Sequence, residues 1–288
     1  MTAEAPGARA VSSSSAALEE KEERLRTLLR GLGSVLVAYS GGTDSTYLAW
    51  AAARELGPRA LAVTADSPSY PERHRRAAVE QAVRLGIAHE VIRTAEMERA
   101  EYLANPENRC YYCKQELFGQ LTAIARERGL AVVADGSNAD DRGDYRPGRE
   151  AAPEFGIRSP LDEVGLGKAE IRELARRAGL PTWDEPASAC LSSRIPYNSP
   201  VTDEKLRMIE QAEAVLLEMG FRLCRVRHHG EIARVEVAPD DLARAASPDV
   251  RAVLTSRLKA IGFRYVTLDL QGYRTGSLNE GIRLTPAP

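Results

Sequence analysis

Ser34-Val35-Leu36-Val37-Ala38-Tyr39-Ser40-Gly41-Gly42-Thr43-Asp44-Ser45 is the stretch that decides the fold of this 288-residue chain. The run from Ser34 to Tyr39 reads as a central parallel strand, apolar because both faces are covered. The glycines follow at once, and helical periodicity resumes from Ser45 to Leu56. Gly41 and Gly42 can take backbone angles closed to other residues and let the chain approach a ligand closely. Successive N–H groups then line a concavity, and the helix that follows points its positive end into it. Ser40, Thr43 and Ser45 add hydroxyl donors, so the turn suits a phosphate. Asp44 is awkward beside phosphate unless Mg²⁺ neutralises the pair, so it is expected near that metal or capping the helix. The bland alternative is a serine/glycine turn with Asp44 as an ordinary cap. Placement between an apolar strand and a helix argues against it.

Outward from this stretch the pattern repeats. Ala60 to Thr64 reads as strand, Pro71 to Leu85 as helix and Ala88 to Arg93 as strand. Tyr112 to Arg128 reads as helix and Ala131 to Ala134 as a short strand. Alternating strands and helices predict an α/β, doubly wound, mostly parallel sheet whose ligand lies at the carboxyl ends of the strands. Residues 135–165 are rich in Gly, Asp, Arg and Pro, and long irregular stretches of this kind are usually functional. A helix is expected at Lys168 to Ala178 and an irregular stretch from Pro181 to Pro200. A helix from Asp203 to Met219, strands at Arg222 to His228 and Ala233 to Val237, a helical segment and a strand at Tyr265 to Leu270 complete the chain. The expected organisation is a disordered tail over 1–16, a nucleotide-type domain over 17–200 and a smaller α+β domain over 201–288. An amphipathic helix from Ala16 to Leu32 opens the first of these.

Composition is that of a globular protein, 43% hydrophobic and 28% charged. With 39 basic and 41 acidic residues the chain carries no strong field, which disfavours a dedicated nucleic-acid binder. No segment reaches the roughly 18 uninterrupted apolar residues of a membrane helix. The first residues lack the apolar core of a signal peptide, so the expected compartment is the cytoplasm.

Four cysteines do not make a disulfide framework. Cys110-Tyr111-Tyr112-Cys113 is expected at the start of a helix, with its thiols about one turn apart. Cys190 lies in Ala187-Ser188-Ala189-Cys190-Leu191-Ser192-Ser193-Arg194. Three thiolates could hold a [4Fe–4S] cluster with one iron left open. Alternatively Cys190 carries a persulfide or gives up its own sulfur, with the pair as resolving thiols. Zinc with Cys224 or His228 as fourth ligand is a third reading, and three thiols packed as small hydrophobes is the fourth. Cys224, in a strand pattern, reads as core.

The loop lacks the Gly-Lys-Ser/Thr ending of the kinase P-loop and lacks GxGxxG. It resembles the P-P-loop of N-type ATP pyrophosphatases, which implies ATP binding, cleavage to AMP and pyrophosphate, and adenylation of a substrate oxygen. Further segments narrow the resemblance. They are Asp135-Gly136-Ser137-Asn138, Asp140-Asp141, Asp144-Tyr145-Arg146-Pro147-Gly148, Cys190-Leu191-Ser192-Ser193-Arg194, Arg225-Val226-Arg227-His228-His229 and Gly272-Tyr273-Arg274. Together, from about Ala16 to Asn279, they resemble the LarE family of ATP-dependent sulfur transferases.

That resemblance implies an adenine-nucleotide α-hydrolase fold and a role in making the nickel-pincer nucleotide cofactor of lactate racemase. The substrate would be pyridinium-biscarboxylic acid mononucleotide, each ring carboxylate being adenylated, attacked by sulfur and released as a thiocarboxylate. ATP would sit on Ser40, Gly41, Gly42, Thr43, Asp44, Ser45 and Gly136, with Mg²⁺ at Asp44. Ser193, Arg194, Arg225 and Arg227 match positions that hold the substrate phosphate, and bidentate arginine suits that ligand. Arg225 and Arg227 also alternate onto one strand face. Glu213 matches a position near a metal, although by pattern alone it reads as an exposed glutamate. Arg146 could contact either ATP or the substrate, and His228 and His229 read as polar strand ends rather than proton carriers. Cys110, Cys113 and Cys190 fit the kind of family member that holds a [4Fe–4S] cluster on three cysteines. In the kind that sacrifices one cysteine the loop reads Ser-Cys-Ser, whereas here it reads Ser188-Ala189-Cys190. The family also implies a homo-oligomer and a sulfur donor the sequence does not identify.

Two rival functions set the terms of comparison. A tRNA-thiolating enzyme of the same superfamily would need a basic stripe and steep salt dependence. A nucleotide-binding sensor that never turns over would need neither Asp44 nor cysteines.

Overall fold

The computed structural model describes residues 7–143, 147–186, 189–274 and 277–279, with side chains from residue 15 onward. The chain divides into two compact units. The first holds Met1–Ser67, Glu72–Glu96 and Cys110–Ala187; the second holds Pro68–Pro71, Met97–Arg109 and Ser188–Pro288.

In the first unit, helix α1 (Gly7–Leu32) leads into strand β1 (Val35–Ala38), helix α2 (Thr43–Leu56) and strand β2 (Ala60–Asp66). Helix α3 (Glu72–Leu85) and strand β3 (His89–Arg93) follow. After the short α4 (Ala100–Leu103), which falls in the second unit, come helix α5 (Arg109–Glu127) and strand β4 (Val132–Ala134), then the short α6 (Ala151–Glu154) and α7 (Pro160–Glu163), and α8 (Lys168–Arg177). Helix α1 begins at Gly7 rather than near Ala16. Alanine is the best helix former and serine costs only a fraction of a kcal/mol, so the segment extends a helix already nucleated downstream.

All four strands are parallel, in the order β3-β2-β1-β4. The pairing Val35↔Ala60 on one side and Val35↔Val132 on the other makes β1 central, as its apolar run predicts. Its alternation fills two separate cores. Val35, Val37 and Tyr39 pack with Leu25, Leu29, Leu48, Ile171 and Leu174. Leu36, with Ala38 beside it, packs with Val63, Phe118, Leu121 and Val133. Helices therefore cover both faces, and period-2 alternation sends neighbouring β1 side chains to different layers.

The second unit contains helix α9 (Asp203–Glu218), strands β5 (Cys224–His229) and β6 (Ile232–Val237), the short α10 (Leu242–Ala246), helix α11 (Pro248–Ile261) and strand β7 (Tyr265–Leu268). The sheet order is β5-β6-β7, antiparallel then parallel. One face is apolar: Cys224, Val226, Val235 and Val237 pack against Leu216, Leu254 and Leu258 of α9 and α11. The stretch before Pro200, expected with the first domain, folds with this unit instead. Leu191 N donates to Ser69 O at 2.7 Å, Asn198 N to Asn105 O at 2.8 Å and Val201 N to Leu103 O at 2.9 Å. Asn105, fully buried at φ 57°, donates its amide to Pro196 O and Ser199 O.

Candidate functional site

The chain runs from β1 to β2 and β3 on one side, then places β4 on the other side of β1. The switch in strand order therefore falls between β1 and β4. Such a crevice is where ligands of open α/β sheets bind. Two loops leave strand ends there, Tyr39–Gly42 after β1 and Asp135–Asn138 after β4.

Gly41 sits at φ 68°, and a Cβ on it would lie 2.9 Å from the Cβ of Ala78. The position requires glycine both for conformation and for space. Gly42 is the N-cap of α2 and has no side chain to close it, so the first amides of the helix have no cap side chain over them. Ser45 ties the turn from inside: its hydroxyl donates to Gly42 O at 3.2 Å and accepts from Ser40 N at 3.2 Å. The Ser40 and Ser45 hydroxyls lie 3.1 Å apart. Thr43 Oγ1 donates to Thr182 O at 2.6 Å, fixing the turn to a distant loop.

Gly136 comes so close to α2 that a Cβ there would stand 3.0 Å from Ser45 N. Asp44 lies inside the first turn rather than at the N-cap, so the capping alternative is set aside. Its Oδ2 accepts from Asn138 Nδ2 at 2.8 Å. Asn138, fully buried, is held through Asp141, and Lys168 Nζ lies 3.2 Å from Asp141 Oδ1. Ser137 and Ser159 donate to Asp135. The roles of Asn138 and Asp141 went unread in the sequence because they support Asp44 from 94 and more residues away.

In the same unit, Cys110 lies in the first turn of α5 and Cys113 one turn further on, the helix beginning at Arg109, earlier than expected. Cys110 is exposed and Cys113 partly so. A Cβ on Gly148 would meet Cys110 O at 3.3 Å, so the loop carrying Gly148 packs on this turn. Arg146, Asp144 and Tyr145 lie outside the described residues, as does Ser188.

The second unit gathers the arginines. Cys190, partly exposed, precedes the 3₁₀ turn Leu191–Arg194. Arg194 has 0% and Glu213 3% of the side chain exposed, and they form a two-point pair: Nε to Oε1 at 2.9 Å and Nη2 to Oε2 at 3.0 Å. Glu213, read in sequence as exposed, is therefore buried, and Oε1 also accepts from Val226 N at 3.2 Å. Burial pushes the Glu213 carboxyl up, but the Arg194 guanidinium overrides it and holds the carboxyl below the usual range.

On the polar face of β5, Arg227 pairs with Glu236 at 2.9 Å and donates to Ser193 O at 2.7 Å. Arg225 faces the Tyr273 ring at 5.1 Å, and its pKa is pushed down by burial and by the neighbouring Arg194 cation. Arg234 pairs with Glu236 at 3.0 Å. Ser193 donates to Cys190 O at 2.7 Å. The site thus holds Ser193, Arg194, Arg225 and Arg227 together, with Arg234 and Glu236 added. Glu236 was legible in principle: the tight turn at Gly230 sets a register that puts it opposite Arg225.

Cys224 is taken up by the apolar core, as expected, and His228 is buried with its ring against Phe263 while His229 is exposed. Among the described residues no three His, Cys, Asp or Glu side chains are gathered as a metal ion would need. None of the described helices is long and apolar enough to cross a membrane.

No family model matches the chain. An uncharacterized protein of Synechocystis sp. is 46% identical over 263 residues, covering 91% of this chain and 98% of its own length. The pyridinium-3,5-bisthiocarboxylic acid mononucleotide synthase of Lactiplantibacillus plantarum is 35% identical over 268 residues, covering 93% of this chain and 96% of its own. A glutamine-hydrolyzing GMP synthase of Aeropyrum pernix is 26% identical over 221 residues, 68% of this chain and 42% of its own. The chain belongs to the LarE family, that of the pyridinium-3,5-bisthiocarboxylic acid mononucleotide synthase, and its sheet is of the adenine-nucleotide α-hydrolase type.

Proposed function

We propose that this chain is an ATP-dependent sulfurtransferase that converts the carboxylates of pyridinium-biscarboxylic acid mononucleotide to thiocarboxylates. The observation that carries the reading is the pairing, in one chain, of a glycine turn built for phosphate with an arginine-rich strand face bonded to a cysteine loop. The L. plantarum relative supports the same substrate.

Amides of the Gly41–Ser45 turn hold the pyrophosphate end of ATP, where the α2 dipole favours anions. Asp44, steadied by Asn138, supplies carboxylate oxygens of the kind Mg²⁺ takes. A substrate carboxylate oxygen attacks the α-phosphorus, pyrophosphate leaves and an acyl-adenylate forms. A sulfur nucleophile then attacks the acyl carbon, the C–O bond breaks and AMP carries away the electron pair. Arg225 and Arg227, with Ser193, hold the mononucleotide phosphate.

The thiols suit a [4Fe–4S] cluster by donor chemistry: Cys110 and Cys113 are one turn apart and not buried, and Cys190 is partly exposed. Cys110, Cys113 and Cys190 would hold such a cluster, which would supply exchangeable sulfide for the transfer. A separate sulfur donor, a homo-oligomeric state and a cytoplasmic location complete the proposal.

The test is anaerobic purification followed by iron and labile-sulfide analysis and by assay with the mononucleotide. About four irons per chain, with AMP formed in step with thiocarboxylate, is the expected result. No AMP in the presence of ATP, Mg²⁺ and the mononucleotide would overturn the function. Iron-free protein after reconstitution would overturn the cluster alone.

A further inference from the structure

The backbone carbonyls around Cys190 are held by arginines that come from three different elements. Arg194 Nη1 donates to Ala189 O at 2.7 Å and to Cys190 O at 2.9 Å. Arg109, the first residue of α5, donates to Ser192 O at 3.0 Å. Arg227 of β5 takes Ser193 O at 2.7 Å. The Leu191 amide donates to Ser69 O at 2.7 Å. Tyr102 and Ser192 hydroxyls lie 2.7 Å apart. The turn that bears the cysteine is thus tied through the carbonyls of Ala189, Cys190, Ser192 and Ser193 and the amide of Leu191.

Arg194 is the centre of this arrangement and is fully buried. Its Nε and Nη2 edge is spent on Glu213, and its Nη1 on two carbonyls and on Ser193 Oγ at 3.0 Å. Arg225 and Arg227 keep 8% and 7% of their surface exposed, whereas Arg194 keeps none and so presents no face to a phosphate. Two buried charges are costly to assemble, and such a pair is a weak source of stability. The forked donor geometry is specific to arginine, since the three donors of a lysine ammonium cannot grip a carboxylate at two points and also serve two carbonyls.

We propose that Arg194, locked onto Glu213, is a positioning residue for Cys190. It fixes the backbone on both sides of the thiol, so that the sulfur keeps only its own side-chain rotation, and it does not touch the substrate. Arg227 links the same turn to the proposed phosphate clamp, because one guanidinium binds both Ser193 O and Glu236. The inference rests on the reading that Cys190 takes part in sulfur transfer.

The experiment uses the full chain with Arg194→Lys, Glu213→Gln, and the double variant Arg194→Met with Glu213→Leu. After iron removal, iodoacetamide alkylation resolved by peptide mass spectrometry reads Cys190 against Cys110 and Cys113 as internal controls. The Cys190 rate is expected to change about fivefold or more in Arg194→Lys and in Glu213→Gln, with the controls within about twofold. ATP–pyrophosphate exchange driven by the mononucleotide precedes sulfur attack. Its KM should stay within about twofold while thiocarboxylate formation falls about tenfold or more. Where a single variant does not fold, the double variant decides, because an apolar pair of similar volume is tolerated where one unpaired charge is not. A folded double variant with a wild-type Cys190 alkylation rate overturns the proposal. So does a tenfold rise in KM for the mononucleotide in Arg194→Lys with alkylation unchanged, which would make Arg194 a phosphate ligand. Absence of exchange in the unaltered chain would sink the proposed substrate instead, and the alkylation arm would still decide the role of Arg194.

Discussion

The nucleotide turn and the cysteine turn are both loops that present a small group to a ligand, yet they are built in opposite ways. The first is made of backbone: two glycines, three hydroxyls and a helix start, with its internal hydrogen bonds spanning three to five residues. The second is made of buried charges, with bonds from Arg194 to Glu213, Arg227 to Ser193 and Arg109 to Ser192 spanning 19, 34 and 83 residues. The first has no room for a side chain at Gly41. The second tolerates no missing partner.

The largest test of that contrast is Glu236→Gln. Glu236 is fully buried between Arg227 and Arg234, and removing one partner of a buried pair costs about 3–5 kcal/mol. A urea midpoint for the second unit that stays put would mean its charges are not what holds it. Gly41→Ala is the counterpart in the first unit. The φ of 68° costs a non-glycine residue about 1–2 kcal/mol, and the new methyl meets Ala78. ATP-dependent AMP formation should fall about tenfold or more, since small misplacements near the chemistry are costly. A wild-type rate would show that the turn does not carry the nucleotide.

Acidification separates the units more gently. His89 in the first unit and His228 and His229 in the second are all held below the usual imidazole value, His89 and His228 chiefly by burial, the exposed His229 by partial loss of hydration and by the nearby Arg234 and Arg227 cations. The unfolded chain therefore takes up these protons first, and stability falls as pH drops below about 6.5. Each proton contributes at most about 1.4 kcal/mol per pH unit, less at the exposed His229 where water screens the charge, so the second unit should lose slightly more than the first. Glu213 adds a lower window. Its carboxyl is depressed, so its contribution persists above the unfolded carboxylate pKa and is lost as pH falls through the folded one. A flat thermal midpoint between pH 7 and about 5 would contradict this reading. The smallest effect belongs to the exposed pairs of Glu173 with Arg176 and Arg177, where Glu173→Ala should leave the urea midpoint unmoved. A clear shift there would place surface charge on a par with buried charge.

The sequence by itself determined the first unit closely: the central strand, the glycine turn, the helix after it, and the parallel alternation around them. It did so because periodicity and glycine conformation act over a few residues. It also put the two arginines of β5 on one face, since strand alternation is local. Only the tertiary structure decided that Glu213 is buried on Arg194, that Asn138 steadies Asp44, and that the stretch before Pro200 folds with the second unit. Each of those depends on which distant group a long side chain or a loop amide finds once the chain has closed on itself. A buried charge is settled by that partner, and no local pattern carries its name.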